Sequence, residues 1–149
     1  MVWKPRVVVA SVIEQDGRYL MVEEMVQGQR VINQPAGHLE YGEGIIDAVR
    51  RETLEETGYR FEPDGLLGMI LIENKDPDRV YLRFAFRGNV IEKVAGYQTD
   101  QDIIATHWLT ETEIRHHPRL TPRNELVLNS IALYQRGIQL PLDAIHYLS

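Results

Sequence analysis

The segment from Gly37 to Tyr59, which reads GHLEYGEGIIDAVRRETLEETGY, decides both the fold and the chemistry of this chain. From about Gly44 to Thr57 its apolar residues recur at helical spacing, and Gly58 is a typical helix-ending residue. Positions i, i+3 and i+4 of a helix share one face, and three carboxylates occupy such positions here: Glu52, Glu55 and Glu56. The pattern therefore predicts a helix with one acidic face.

An acidic face of this kind is unfavourable unless a cation lies between the carboxylates. Like charges at this spacing destabilise an isolated helix by about a few tenths of a kcal/mol per pair, and they raise one another's pKa values. Arg51 is expected to point about 100° away from Glu52, so it cannot neutralise the whole cluster. Hard oxygen ligands suit Mg²⁺ or Mn²⁺. The alternative is a solvated acidic face without a metal, which is commoner among glutamate-rich helices in general.

The residues around this helix follow a fixed spacing. Gly37 is followed after five residues by Glu43, after seven more by Arg51-Glu52, after two more by Glu55-Glu56, and after one more by Gly58. The spacing resembles the box of the Nudix hydrolase family, G-x5-E-x7-R-E-U-x-E-E-x-G-U, where U is a bulky aliphatic residue. All seven residue-specific positions of the box match.

Two positions depart from the pattern, because Thr53 and Tyr59 stand where the family has aliphatic residues. Neither side chain is expected to point at a metal, so the departures concern local packing. Several segments before, at the start of and after the box are similar to the NudJ type of phosphatase within the family: Lys4-Pro5, residues 33–40, Leu82-Arg83-Phe84, Ser130-Ile131, Tyr134, Gly137 and Pro141-Leu142. The resemblance therefore touches most of the chain.

The resemblance implies a Nudix fold, which is a three-layer α/β/α sandwich with a mixed sheet, for residues 1–149 as one domain. It implies a Mg²⁺-dependent hydrolase, with Mn²⁺ as a substitute, that cleaves phosphoanhydride bonds. The implied substrates are nucleoside di- and triphosphates and small diphosphates such as hydroxymethylpyrimidine or thiamine diphosphate. The alternatives are a Nudix enzyme for ADP-ribose or a dinucleoside polyphosphate, an RNA-processing member, and a nucleotide-sensing module without turnover.

The resemblance also implies roles for individual residues. The metal ligands would be Gly37 through its carbonyl, Glu52, Glu55, Glu56 and, from the loop before Trp108, Asp102 with Asp100 as the second choice. Glu52 is the first choice for the general base, and Glu55, Glu40 or a loop residue are the alternatives. Glu43 and Arg51 are expected to form an ion pair that braces the helix.

Substrate contacts are predicted from chemical type alone. Arg6, Arg30 and Arg83 are candidates for phosphate binding because a guanidinium matches phosphate geometry, although an exposed arginine is more often a solubilising charge. Gln34 is a candidate for reading a ring edge. Tyr81 or Trp3 is a candidate for stacking on a base, although core packing is the commoner role of such aromatic residues.

The rest of the chain predicts strands and two further helices around the box. Strands are predicted for residues 6–13, 19–24, 30–34, 66–73, 81–87 and 103–109. Gln15-Asp16-Gly17 predicts a tight turn between the first two strands, and residues 63–65 predict a turn before the fourth. Thr110 is expected to cap a brief helix together with Glu113, and a last helix is expected from near Thr121 to before Gly137.

The composition excludes several classes of function. The chain has 149 residues, a formal net charge of −6 and no cysteine, so disulfides, thiolate metal sites and a cysteine nucleophile are ruled out. The negative charge argues against a nucleic-acid partner, because little would neutralise a run of phosphates. The sequence has neither a membrane-length apolar run nor a secretion signal. We therefore expect a cytoplasmic monomer or homodimer that binds a small phosphorylated substrate.

Overall fold

A computed structural model describes residues 1–149 of the protein. It contains eight strands, β1 to β8 in chain order: Arg6–Gln15, Arg18–Val26, Gln29–Asn33, Ala36–His38, Tyr59–Ile72, Tyr81–Lys93, Ile103–Leu109 and Thr121–Pro122. The helices are α1 (Ile45–Thr57), α2 (Glu111–Arg115) and α3 (Glu125–Gln135). Short 3₁₀ turns lie at Pro77–Arg79 and Leu142–Ala144. None of the helices has the length and apolar character that crossing a lipid bilayer would require.

The strands form one mixed sheet that opens near its middle. The order is β5-β6-β1-β2-β3-β8, with β4 added to β1 and β7 added to β2. Strands β1 and β6 run parallel, whereas β1 and β2 pair antiparallel only beside their turn, at Glu14–Tyr19 and Gln15–Arg18. Beyond that point β4 pairs with β1, while β3 and β7 pair with β2. The gap between β1 and β2 leaves room for a site at this level of the sheet.

Side chains on successive strand positions point to opposite faces, and this alternation produces the layers. On β1, Val9 and Ile13 pack in a cluster with Ala48 of α1, whereas Val12 packs in a second cluster with Val127 of α3. The sheet therefore lies between α1 on one face and α3 on the other. The predicted three-layer α/β/α sandwich with a mixed sheet is confirmed.

The helix α1 and the first hairpin form where local sequence signals predict them. The helix ends at Gly58, whose backbone has φ of 77° and whose N–H donates to the Leu54 carbonyl. Only a residue that tolerates positive φ ends a helix in this way at low cost. The turn between β1 and β2 also has positive φ, at Asp16 and Gly17. The short helix α2 has the capping box at Thr110 and Glu113 that the sequence predicts.

Two local predictions are wrong. Residues 63–65 do not form a turn, because β5 continues through them and its register with β6 shifts between Pro63 and Gly65. A bulge at an edge strand accommodates a proline that has no N–H to donate. The last helix does not begin near Thr121. Thr121 and Pro122 instead pair with β3, and α3 begins after Asn124, whose side chain accepts a hydrogen bond from the Leu126 N–H.

Candidate active site

The three glutamates of α1 share one face, as predicted, but their environments differ. Glu52 and Glu56 are buried, whereas 34% of the Glu55 side chain is exposed. Glu52, Glu55 and Asp100 each offer a carboxylate oxygen, and these oxygens lie within 4.8 Å of one another. The Asp100 N–H donates to the Glu55 carbonyl over 2.9 Å, which ties the loop before β7 to the helix. Asp102, the first choice for a loop ligand, lies outside this group.

Arg51 reaches the acidic face, so the expectation that it points away from the cluster is wrong. Its guanidinium donates to Glu52 Oε1 over 2.8 Å and to Glu55 Oε2 over 3.1 Å. The same group donates to both carboxylate oxygens of Glu43, which confirms the predicted ion pair. These bonds lower the pKa of Glu43 and raise that of Arg51, so both groups stay charged. The length and flexibility of the arginine side chain override the angular offset of its Cα position.

Glu56 is the acidic residue with the least compensation. Its Oε1 accepts a hydrogen bond from the Ala36 N–H over 2.8 Å. Burial raises the pKa of the Glu56 carboxyl to about 9, and the negative charges of Glu24 and Glu52 add to this effect. Burial also raises the pKa of Glu52, against the opposing effect of Arg51. Arg51 thus compensates Glu52 in part, whereas Glu56 has no cationic partner, and the carboxylate oxygens of both are the hard ligands that Mg²⁺ prefers.

Gly37 lies on β4 against the Glu52 carboxylate. A Cβ atom added to Gly37 would overlap the Glu52 carboxyl group, so a side chain at this position would displace it. The absence of a side chain thus lets strand and helix approach closely. The carboxylates gathered beside this junction fit a divalent cation.

A cavity of about 400 Å³ lies beside the acidic face. Acidic and backbone groups from α1 and β4 contribute to its lining: Gly37, Glu40, Glu52 and Glu56. Polar residues that we did not predict also line it: Glu24, Asn33, Arg123 and Asn124. They come from β2, β3 and the segment before α3. Asn33 begins the segment of residues 33–40 that resembles NudJ phosphatases, whereas the other three residues carry no local sequence signal because long-range strand pairing brings them together.

The predicted substrate residues lie in different places. Arg83 lines the cavity, although only 2% of the residue is exposed. Gln34 is 1% exposed, and its side chain donates to the Val127 carbonyl and accepts from Arg83. Arg30 pairs with Glu23 beside a second cavity, and Arg6 lies at the exposed start of β1. Neither Gln34, Arg6 nor Arg30 lines the cavity next to the acidic face.

The two aromatic residues predicted as candidates for stacking, Tyr81 and Trp3, lie in different places. Tyr81 lines the cavity, and its ring lies edge-on to that of His38 with centroids 6.2 Å apart. Trp3 is exposed, and its Nε1–H donates to the Pro77 carbonyl over 3.2 Å. Tyr81 is therefore the aromatic residue that is placed to contact a bound ring.

The two departures from the box are accommodated by packing. Thr53 is buried, and its hydroxyl donates to the Val49 carbonyl over 2.7 Å and lies 2.8 Å from that of Ser11 on β1. Tyr59 packs edge-on against Trp108 with ring centroids 5.9 Å apart. Both residues point away from the cavity, so they replace aliphatic contacts without touching the acidic face.

The fold is a mixed sheet between two helical layers, and the box from Gly37 to Gly58 places an acidic helix face beside the gap in that sheet. This combination defines a family of hydrolases. The chain belongs to the Nudix family, and the NUDIX domain model matches residues 3–130. The chain is 37% identical over 145 residues to "Phosphatase NudJ" of Escherichia coli strain K12, covering 96% of this chain and 92% of the relative.

Solved structures show the same relationship. A NUDIX hydrolase from Nitrosomonas europaea superposes with a TM-score of 0.91 at 43% sequence identity, covering 97% of this chain and 98% of that one. A UDP-X diphosphatase superposes with a TM-score of 0.73 at 20% identity, covering 93% of this chain and 67% of that one. The second comparison supports the fold alone. The protein is therefore a Nudix hydrolase whose resemblance to NudJ phosphatases extends over nearly its whole length.

Proposed function

We propose that the protein uses Mg²⁺ to hydrolyse phosphoanhydride bonds in nucleoside di- and triphosphates and in small diphosphates such as hydroxymethylpyrimidine or thiamine diphosphate. The observation that carries this proposal is the group of Glu52, Glu55 and Asp100 oxygens within 4.8 Å of one another, next to a ligand-sized cavity. The similarity to a relative named as a phosphatase supports the same reaction class. The choice of substrates rests on that resemblance.

We assign the metal to Glu52, Glu55 and Glu56 with the Gly37 carbonyl as a further ligand. The position of Asp100 supports it over Asp102 as the loop carboxylate. A bound divalent cation would neutralise phosphate oxygens and lower the pKa of a bound water for in-line attack at phosphorus. The deficit of positive charge around Glu56 is the feature of the protein that such an ion would relieve.

Side chains of the protein supply the general base and hold it in position. Glu52 is the proposed general base, because its carboxylate lies in the acidic group and lines the cavity, where it is placed to accept a proton from a bound water. Arg51 holds Glu52 through the 2.8 Å bond and is itself held by Glu43. This chain of contacts fixes the base in position before substrate arrives.

The test is a phosphate-release screen of the purified protein with Mg²⁺ and with EDTA. The substrates are nucleoside di- and triphosphates, thiamine diphosphate, ADP-ribose and a dinucleoside polyphosphate. We expect activity that EDTA abolishes. We also expect Glu55→Gln to reduce kcat by about a hundredfold or more, because loss of even an outer partner of a metal ligand typically costs about 10–100-fold in metal affinity or activity. Glu73→Gln, which neutralises an exposed carboxylate away from the cavity, is the matched control. Equal kcat in Glu55→Gln and Glu73→Gln at saturating Mg²⁺ would refute the metal assignment.

A further inference from the structure

Arg83 is a buried cation whose protein partners are all neutral. Its Nη1 donates to the Gln34 side-chain oxygen, the Leu126 carbonyl and the Ser130 hydroxyl over 3.0–3.2 Å. Its Nη2 donates to Asn33 Oδ1 over 3.2 Å. A buried charge is normally paired with an opposite charge, because burial without one is costly. Arg51 shows the usual arrangement, since four carboxylates surround it.

The electrostatic surroundings of Arg83 increase this cost. Burial lowers the pKa of Arg83 to about 10, and the charge that adds to the effect is a second cation, Arg123. The hydrogen bonds from neutral acceptors hold the guanidinium in one orientation without neutralising it. The Arg83 guanidinium is therefore a fixed cation that has no anionic partner.

Arg83 also has unused hydrogen-bond donors. A guanidinium carries five N–H groups, and the protein acceptors of Arg83 engage only Nη1 and one position on Nη2. The Nε–H has no protein acceptor, yet every fully buried side-chain nitrogen and oxygen has a hydrogen-bond partner. The Nε atom therefore contacts accessible space, and the space that Arg83 lines is the cavity beside the acidic face.

The Glu24 carboxylate, which accepts hydrogen bonds, lines the same cavity as the Arg83 guanidinium. Asn33 accepts from Arg83 through Oδ1, and its Nδ2 lies 3.5 Å from Glu24 Oε1. The same Glu24 oxygen accepts from Arg123 over 3.0 Å, while Glu24 Oε2 has no donor. One carboxamide thus spans the distance between the guanidinium and the carboxylate. A ring edge with an acceptor next to an N–H or amino group has the same spacing and polarity.

Apolar residues also line the cavity beside this polar pair. Val8 is the register partner of Arg83 on the neighbouring strand, and Tyr81 lies two residues before Arg83 on the same face of β6. Leu126, whose carbonyl binds Arg83, also lines the cavity. These apolar groups give the ring of a planar organic ligand a surface to pack against, next to the fixed polar groups that bind its edge.

We propose that Arg83 and Glu24, linked by Asn33, select the head group of the substrate by binding a heterocyclic edge that has an acceptor beside a donor. Arg83 donates to the acceptor through its Nε–H and free Nη2–H, and Glu24 Oε2 accepts from the donor. This inference rests on the proposed function, because it assumes that the diphosphate lies at the acidic face.

The direct test uses the wild-type protein in EDTA, so it depends neither on turnover nor on the folding of a variant. Cytidine monophosphate, whose ring has an acceptor nitrogen beside an amino group, and tripolyphosphate, which has no ring, are titrated separately. NMR follows the Arg83 Nε–H and the Asn33 side-chain amide. We expect both signals to shift with cytidine monophosphate and to move far less with tripolyphosphate. Equal or larger shifts with tripolyphosphate would make Arg83 a phosphate ligand, and no shift with either probe would make it structural; both results overturn the proposal.

A kinetic test separates this inference from the proposed function. Arg83→Lys retains the charge but removes the Nε–H, and Arg18→Lys is the matched control at an exposed ion pair. We expect Arg83→Lys to raise KM for cytidine diphosphate at least about tenfold more than KM for tripolyphosphate, the loss expected for one charged hydrogen bond. An equal rise for both would sink the head-group inference alone. Failure of the wild type to hydrolyse any polyphosphate with Mg²⁺ would instead sink the proposed function.

Discussion

Replacement of Glu56 by glutamine should change how the stability of the metal-free protein depends on pH. Glu56 is buried, and its pKa of about 9 lies well above its ordinary value of 4.5. A carboxyl with a raised pKa keeps its proton in the folded state but releases it in the unfolded state at neutral pH. Stability from this group is therefore complete below about pH 4.5 and falls steadily as the pH rises towards 9.

The magnitude follows from the size of the shift. Each pH unit inside that window costs about 1.4 kcal/mol of unfolding free energy. Between about pH 6 and about pH 8, the wild-type protein in EDTA should lose up to about 3 kcal/mol that Glu56→Gln does not lose. Relaxation of the fold or entry of water around the carboxylate would make the loss smaller.

Urea denaturation in EDTA at several pH values measures this difference, with Glu73→Gln as a control for the removal of one negative charge. We expect wild type and Glu73→Gln to share one slope of stability against pH, and Glu56→Gln to have a flatter one. Excess Mg²⁺ should flatten the wild-type slope, because the cation replaces the proton. Parallel slopes for wild type and Glu56→Gln in EDTA would show that Glu56 is not a buried, uncompensated carboxyl.

Three further predictions concern the supports of the site. Gly37→Ala should destabilise the protein by about 1–3 kcal/mol and reduce turnover, because the added Cβ overlaps the Glu52 carboxyl. Thermal unfolding and kcat, measured on the same variant, check this. A variant that is fully active and as stable as wild type would contradict it. Asn124→Ala should lower the free energy of unfolding by about 1 kcal/mol through loss of the α3 cap, a difference that urea denaturation resolves. Glu43→Gln should lose stability relative to wild type above the ordinary carboxyl pKa, since Arg51 lowers the pKa of Glu43 in the folded state. That difference should disappear as the pH falls through the folded-state pKa, and a difference that persists in acid would contradict the ion-pair explanation.

Most of the fold could be predicted because its signals are local. The helix Ile45–Thr57 has apolar residues at helical spacing and a glycine at its end, and the strand Ile103–Leu109 was predicted with the same bounds. The start of α3 was misplaced because Pro122 resembles a first helical residue. In the structure Pro122 pairs with Ile32 on β3, and that partner is distant in sequence.

The acidic face was predictable as a pattern, but its contacts were not. Spacing places Glu52, Glu55 and Glu56 on one side of a helix whatever surrounds it. Whether the Arg51 guanidinium contacts that face depends on its side-chain torsions and on its hydrogen bond with Glu43. Glu24 and Arg123 were not predicted for a different reason, since they meet only after β2, β3 and the segment before α3 are brought together.

Glu56 and Arg83 are two buried ionisable groups that line the cavity and do not pair with each other. Burial and the positive charge of Arg123 lower the pKa of Arg83. Glu56 in turn is affected by burial and by other carboxylates. The metal-free protein therefore holds a carboxyl that keeps its proton and a guanidinium without an anionic partner in one cavity, and a ligand stabilises both groups only if it brings a cation to the first and an acceptor to the second. A metal-bound diphosphate joined to a ring with an acceptor edge does so, because the cation meets Glu56 and the ring meets Arg83. A bare polyphosphate or a free base satisfies only one of the two groups, so a molecule that joins both parts should bind more tightly than either part alone.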